Sequence, residues 1–214
     1  MRKIDKGKPP EWFEAWKQAF EDQHGRSADY KSDFPQSEKR RLREQILKEQ
    51  GYICCYCMCR IKIGSSHLEH FWPKDKFPDL DMDYANMLAS CEGDTDGADH
   101  CGHRKNNWYD SRMVIPTQAG IESMFHYTPD GNIRPAGENT LREVSKKMIY
   151  EFGLDSFHLV RNRRLAIEAS EAFEEIEYTD EELSDLIGWY DSMVDNGKYI
   201  EYCNAIIDVL RDYI

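Results

Sequence analysis

The sequence has no long hydrophobic run, since none approaches the roughly 18 apolar residues that a membrane-spanning helix needs. The first ten residues are basic but lack the apolar stretch of a secretory signal peptide. Internal repeats and low-complexity tracts are also absent. These absences argue against a membrane protein and against export. We therefore expect a soluble, cytoplasmic protein of 214 residues with about one or two domains.

Positive charge is scarce in the last quarter of the chain. From Leu165 onward there are 14 acidic residues and two basic ones, Lys198 and Arg211. The first 164 residues are balanced, so the whole net charge of -12 comes from this last quarter. Nucleic acid would be repelled by it. Basic residues cluster elsewhere, namely Lys39, Arg40, Arg41 and Arg43, then Lys146 and Lys147, then Arg161, Arg163 and Arg164.

The pattern of apolar residues predicts a fold that is mainly α with a small β component. Helices are predicted over residues 10–24, 37–51, 156–178, 180–194 and 197–213, with capping boxes at Thr140 and Thr179. A hairpin is predicted from residues 59–63 and 67–71, a helical turn at 84–91, and a second hairpin turn at 128–132. The chain is thereby divided into N-terminal helices (1–50), a cysteine-rich core (51–112), an irregular connector (113–137) and an acidic helical region (138–214).

Six of the seven cysteines lie between Cys54 and Cys101. In a reducing compartment such clustering favours metal thiolates over disulfides. Cys54-x-x-Cys57 can supply two ligands of a tetrahedral ion, and Cys91 and Cys101 are the natural second pair. The choice of ligands stays open, because Cys55, Cys59 and His100 lie beside these positions. Small buried side chains, or a thiol redox pair, are the alternatives.

The same region contains residues suited to phosphodiester hydrolysis, which needs an activated water and a cation against the developing charge. Adjacent residues on a strand point to opposite sides, so Glu69 could bind a divalent ion while His70 acts as general base. Asn86 could hold the backbone near His70. His103 and Asn107, one helical turn apart, are candidates for a second metal ligand and third catalytic position.

Each of these residues alone has a simpler explanation. A Glu-His step is more often a surface pair, an isolated Asn is more often a turn or cap residue, and His67 is either an additional ligand or a solvent-facing side chain. The ordered set between the cysteine pairs favours a metal-dependent nuclease, because each catalytic role then has a candidate residue.

These motifs resemble HNH endonucleases, and more narrowly the PtuB family, the HNH subunits of Septu-type and retron-associated anti-phage systems. The segments that carry the resemblance are 54–57 (CCYC), 69–74 (EHFWPK), 84–91 (YANMLASC) and 100–105 (HCGHRK). The resemblance implies a ββα-metal core between helical flanks, with structural zinc at Cys54, Cys57, Cys91 and Cys101. It further implies catalytic Mg²⁺ or Mn²⁺, His70 as base, and a partner ATPase of the PtuA kind.

One position departs from the family pattern. Many HNH proteins have His or Asn directly after the final cysteine, where this chain has Gly102. The third catalytic residue is therefore open between His103 and Asn107.

The substrate class is open as well, since DNA is expected but the same site would also cut RNA such as tRNA. A non-catalytic zinc module that bridges partners is a separate alternative. We also expect the acidic C-terminal helices to dock on the ATPase.

Overall fold

A computed structural model of the chain describes residues 1–93, 99–170 and 178–212. Across these ranges the α-helices are α1 (Glu11–His24), α2 (Gln36–Glu49), α3 (Cys101–Lys105), α4 (Asn139–Glu151), α5 (Phe157–Glu168), α6 (Asp180–Tyr190) and α7 (Cys203–Arg211). The strands are β1 (Ser66–His70), β2 (Met87–Cys91), β3 (Phe125–Tyr127) and β4 (Ile133–Pro135). The expectation of a mainly helical protein with a small β component is confirmed. The division into four segments stays a prediction.

The two N-terminal helices lie where the apolar periodicity predicts them. Phe13 of α1 is fully buried and packs edge-on against Phe34, with ring centroids 5.5 Å apart. The apolar face of α2 is buried through Leu42, Ile46 and Leu47. Gln50, the residue after α2, ties this helix to the cysteine-rich region, because its Nε2 donates to the carbonyls of Ile53 and Ala89.

The predicted first hairpin is wrong in its partner strand. β1 pairs antiparallel with β2, with Ser66 opposite Cys91 and His70 opposite Met87. Residues 59–63 contribute only an isolated bridge from Arg60 to Ile53, and the helical turn predicted at 84–91 is mostly strand. All five residues of β2 are buried. A strand buried on both faces shows no alternation of polar and apolar residues, so its sequence did not indicate a strand.

The second predicted hairpin is confirmed as β3 and β4, joined by a turn in which the Gly131 N–H donates to the Thr128 carbonyl. The capping box at Thr179 is also confirmed, since the Glu182 N–H donates to Thr179 Oγ1 and the Thr179 N–H to Glu182 Oε2. The box predicted at Thr140 does not form, because α4 begins at Asn139, one residue before Thr140.

The C-terminal helices are shorter than predicted. α5 ends at Glu168, and residues 171–177 of the predicted helix lie outside the described residues. The last helix begins at Cys203 and not at 197, because Asn196, Gly197 and Tyr202 have positive φ angles that an α-helix does not accept.

α7 is a core helix that packs against β3 and α5. The chain leading into it is tied to the cysteine-rich region, since the Tyr199 N–H donates to the Gly51 carbonyl and the Tyr202 N–H to the Met58 carbonyl. Gly51 has φ +56°, and a Cβ there would lie 2.9 Å from the Tyr199 nitrogen, so only glycine fits. The helix α7, although it lies in the acidic quarter of the sequence, is therefore part of the core. No helix of the described residues is long and apolar enough to cross a bilayer.

Candidate metal and catalytic sites

Four buried thiols form a cluster at the end of the β1–β2 sheet where Ser66 pairs with Cys91. The sulfurs of Cys54, Cys57, Cys91 and Cys101 all lie within 4.8 Å of one another. Cys57 Sγ and Cys91 Sγ are 3.9 Å apart. An ion with tetrahedral bonds to sulfur of about 2.3 Å would separate its ligands by about 3.8 Å. The cluster therefore fits a tetrahedral thiophilic ion and could hold a structural metal.

Neighbouring groups hold this cluster in shape. The Cys91 N–H points at Cys54 Sγ at 3.4 Å. His100 Nδ1 lies 3.1 Å from Cys101 Sγ and 3.6 Å from Cys91 Sγ. His100, open as a ligand from the sequence, thus contacts two sulfurs of the cluster from outside the set of four. Cys55 and Cys59 are likewise outside that set, although the neighbouring thiols of Cys54, Cys57 and Cys91 raise the pKa of Cys59.

Glu69 is a buried carboxylate held by two donors. Its Oε1 accepts from Lys105 Nζ at 2.7 Å and from Tyr56 Oη at 3.0 Å, while its Oε2 lies 3.4 Å from His67 Nε2. Burial raises the pKa of Glu69, but His67 and Lys105 outweigh it and hold the pKa at about 2. The side chain is therefore ionised at neutral pH, with one oxygen engaged and the other turned towards His67.

His70 projects to the other side of β1. Its Nε2 lies 2.8 Å from the Asp81 carbonyl oxygen, and its ring meets Tyr30 edge-on at 4.7 Å. A neutral imidazole that donates from Nε2 to this carbonyl has its lone pair on Nδ1. Burial lowers the pKa of His70 to about 4, so the imidazole is neutral at pH 7. Lys105 links the two adjacent residues, because its Nζ also donates to the His70 carbonyl.

Asn86 is hydrogen-bonded to the loop that follows His70. Its Oδ1 accepts from the Trp72 N–H at 2.8 Å, and its Nδ2 donates to the carbonyls of Trp72 and Leu80. The amide thus clamps both ends of the loop that follows β1, including the stretch that carries the Asp81 carbonyl. This geometry agrees with the positioning role expected for Asn86, which stays a prediction.

The two candidates for the third catalytic position are separated in space. His103, on α3, has Nε2 2.9 Å from Glu92 Oε2. Asn107 lies beyond the end of α3, and its Nδ2 donates to Asp75 Oδ2 at 2.6 Å. His103 joins a second group of potential metal ligands, because one atom each of His67, Glu92 and His103 lie within 4.8 Å of one another.

Sequence reasoning missed three residues that shape this site. Tyr56 and Lys105 both donate to Glu69, and Lys105 is almost completely buried. A lysine four residues after Cys101 could have been assigned to the core only with knowledge of the Glu69 carboxylate that it neutralises. Glu92 is the first residue of the acidic segment 92–99, and the composition of this segment is typical of a solvent-exposed turn. No periodicity in the sequence relates it to His67.

Comparison with known proteins supplies the context for this geometry. No family model matches the chain. A protein of Vibrio cholerae serotype O1 biovar El Tor, which bears the name "Retron Vc95 putative HNH endonuclease", is 28% identical over 138 residues, covering 62% of this chain and 66% of that protein. Septu protein PtuB from Bacillus thuringiensis is 30% identical over 94 residues, covering 40% of this chain and 34% of PtuB. The aligned parts therefore span less than two thirds of the one relative and about a third of the other.

The two relatives support an HNH nuclease as the class to which this chain is similar. Within that class the similarity is to the PtuB type, found in Septu and in a retron. The resemblance inferred from the cysteine, Glu-His and Asn motifs is thereby confirmed.

Proposed function

We propose that this protein is a metal-dependent HNH endonuclease that hydrolyses phosphodiester bonds of DNA. It would act as the effector of an anti-phage defence complex together with an ATPase subunit of the PtuA kind. The names of the two relatives support the nuclease class and the defence context. The substrate, the ion and the partner are our proposals for this chain.

The proposed ββα-metal core consists of β1, β2 and α3, braced by zinc at Cys54, Cys57, Cys91 and Cys101. Two ligands come from the knuckle after α2, one from the end of β2 and one from the start of α3. One ion would thus join three pieces of chain, namely the knuckle, the end of β2 and the start of α3. Four thiolates in tetrahedral arrangement are the donor set typical of structural zinc.

The single observation that carries the nuclease proposal is the environment of His70. The imidazole lies at the end of β1, is neutral at pH 7, and has its Nε2 engaged by the Asp81 carbonyl. Nδ1 is then free to take a proton from the attacking water. Asn86 positions the loop that supplies this carbonyl. A divalent Mg²⁺ or Mn²⁺ ion, for which Glu69 and His103 are the predicted ligands, would stabilise the negative charge on the phosphate and the leaving oxygen.

Basic residues next to His70 support a nucleic-acid substrate. Lys39 Nζ and Lys74 Nζ lie 4.7 Å and 5.2 Å from the centroid of Tyr30, the ring that contacts His70. Burial and the charge of Lys74 lower the pKa of Lys39, so an anion between the two ammonium groups would be stabilising. We propose that these lysines bind phosphates flanking the scissile bond.

Replacing both lysines, Lys39→Ala with Lys74→Ala, is expected to weaken binding of duplex DNA and to reduce the slope of log affinity against log salt by about 2. The measurement is fluorescence anisotropy of the partner-bound complex at several salt concentrations. Lys146→Ala with Lys147→Ala, a pair of equal charge on α4, is the matched control. An unchanged slope in the Lys39/Lys74 variant would contradict the phosphate contacts.

The function is tested by incubating the assembled complex with plasmid DNA and with total tRNA, with and without Mg²⁺ or Mn²⁺. We expect cleavage of plasmid that requires both the divalent ion and the ATPase partner, because the isolated chain carries a net charge of -12 and should bind polyphosphate poorly. Cleavage confined to tRNA would favour the alternative substrate. Absence of hydrolysis with either substrate, in a complex that still protects against phage, would favour a non-catalytic zinc module.

A further inference from the structure

We propose that His67, Glu92 and His103 bind a divalent cation directly, and that Glu69 acts as a positioning residue for His67. This inference rests on the proposed nuclease function and specifies its metal site. It changes the ligand set expected from the sequence, in which Glu69 and His103 bind the ion and His67 is at most an additional ligand.

The first argument is the geometry of the three side chains. His103 Nε2 and His67 Nδ1 lie 2.9 Å and 3.7 Å from the same oxygen, Glu92 Oε2. The two imidazole rings are 4.6 Å apart at their centroids and inclined by 68°. His67 Nδ1 is shielded from solvent and makes no hydrogen bond to the described residues. Two imidazole nitrogens and one carboxylate oxygen therefore converge on one point from β1, α3 and the residue after β2.

The second argument is the glycine that departs from the HNH pattern. A Cβ on Gly102 would collide with His67 Nε2 and lie 2.6 Å from Glu69 Oε2. Any side chain at position 102 would thus displace His67 from its place beside Glu69. A side chain directly after the final cysteine and the imidazole of His67 cannot occupy the same space. Gly102 therefore leaves room for an imidazole supplied by β1.

The third argument concerns Glu69. Lys105 and Tyr56 already donate to its Oε1, and its Oε2 faces His67 Nε2 at 3.4 Å. A histidine that binds a metal commonly donates its other N–H to a carboxylate, which fixes the tautomer and orientation of the ring. With Nε2–H directed at Glu69, the lone pair of His67 lies on Nδ1, the atom that faces Glu92 and His103.

The donor set also bears on the ion. Imidazole nitrogens suit first-row transition ions better than Mg²⁺, which prefers oxygen donors and retains its water. We therefore infer that Mn²⁺ binds this site more tightly than Mg²⁺. A site built from Glu69 and water alone would not have that preference.

The test is Mn²⁺ binding to the full-length zinc-loaded chain, measured by isothermal titration calorimetry, with pulsed electron paramagnetic resonance to detect imidazole nitrogens on the bound ion. We expect two coupled nitrogens in the unaltered protein and one in His67→Ala. Mn²⁺ affinity should fall by about 10- to 100-fold in Glu69→Gln, the range typical of lost outer-shell partners, and further in His67→Ala. Gly102→Asn should also weaken binding by displacing His67.

His126→Ala is the matched control, since His126 is a partly exposed histidine on β3, near Asp208 of α7. Zinc content and melting temperature establish that each variant is folded. Unchanged Mn²⁺ affinity and nitrogen coupling in folded His67→Ala would overturn the inference. Loss of Mn²⁺ binding in Glu69→Gln but not in His67→Ala would also overturn it. The Mn²⁺-binding test and the cleavage test can fail separately. If the protein cleaves no nucleic acid, two nitrogens on bound Mn²⁺ still establish the site; if it does, their absence still refutes the site.

Discussion

Replacing His70 by alanine is expected to lower phosphodiester hydrolysis by about 10² to 10⁴-fold, the usual contribution of a general base. The Asp81 carbonyl engages Nε2 of His70, which leaves the lone pair of the neutral ring on Nδ1, the atom that we propose takes the proton from water. The measurement is the single-turnover rate of plasmid cleavage by the assembled complex at saturating Mn²⁺. Protection against phage should be lost in parallel.

Because His70 is buried, the alanine variant also leaves a cavity. His70→Gln is the companion variant, since its amide N–H can still donate to the Asp81 carbonyl while its side chain cannot serve as a base. Both variants should retain zinc, co-purify with the ATPase and fail to cleave, while His126→Ala cleaves normally. Full protection against phage by folded His70→Gln would show that catalysis at this residue is dispensable and would support the non-catalytic alternative.

Replacing Cys91 by serine is expected to release the structural ion and to lower the melting temperature by more than about 10 °C. Structural zinc contributes roughly 10 to 16 kcal/mol of apparent binding free energy in isolated zinc-finger peptides. In this chain the ion would join the knuckle after α2, the end of β2 and the start of α3. Zinc per chain is measured by inductively coupled plasma mass spectrometry, and stability by thermal unfolding.

Cys59→Ser is the matched control, because Cys59 lies beside the cluster but outside the set of four. It should keep one zinc per chain and its melting temperature. If Cys59→Ser lost the ion and Cys91→Ser kept it, the ligand set would have to be reassigned. Reversible disulfide formation without any change in zinc content would instead support the thiol redox alternative.

The parts of the fold that could be predicted are those whose signal is local. Trp12, Phe13 and Trp16 recur at helical spacing, and α1 lies over them. Thr179 and Glu182 are three residues apart and form their capping box. Thr140 and Glu143 have the same spacing, but α4 begins at Asn139 and leaves the box unformed. A capping motif therefore indicates a helix start only where the preceding chain allows the first turn to begin there.

The parts that could not be predicted depend on contacts distant in sequence. β1 was expected to pair with residues 59–63, its immediate neighbours, but those residues follow the knuckle, where the Cys54 N–H donates to the Cys59 carbonyl. The partner strand β2 is separated from β1 by 16 residues and buried on both faces. The last helix α7 lies in the core against β3, and the docking of the acidic C-terminal helices on an ATPase stays a prediction.

The sequence by itself determined the class of chemistry. The order of cysteine pair, Glu-His step, Asn and final cysteine is a property of the chain, and each residue type suits the metal binding or the proton transfer that we propose for it. Only the tertiary structure decided which groups meet. It turned Glu69 towards Lys105 and His67, separated His103 from Asn107, and used the missing side chain of Gly102 as space for an imidazole. Spacing along the chain carries no information on such packing, since close contact in the core is set by which surfaces exclude water together.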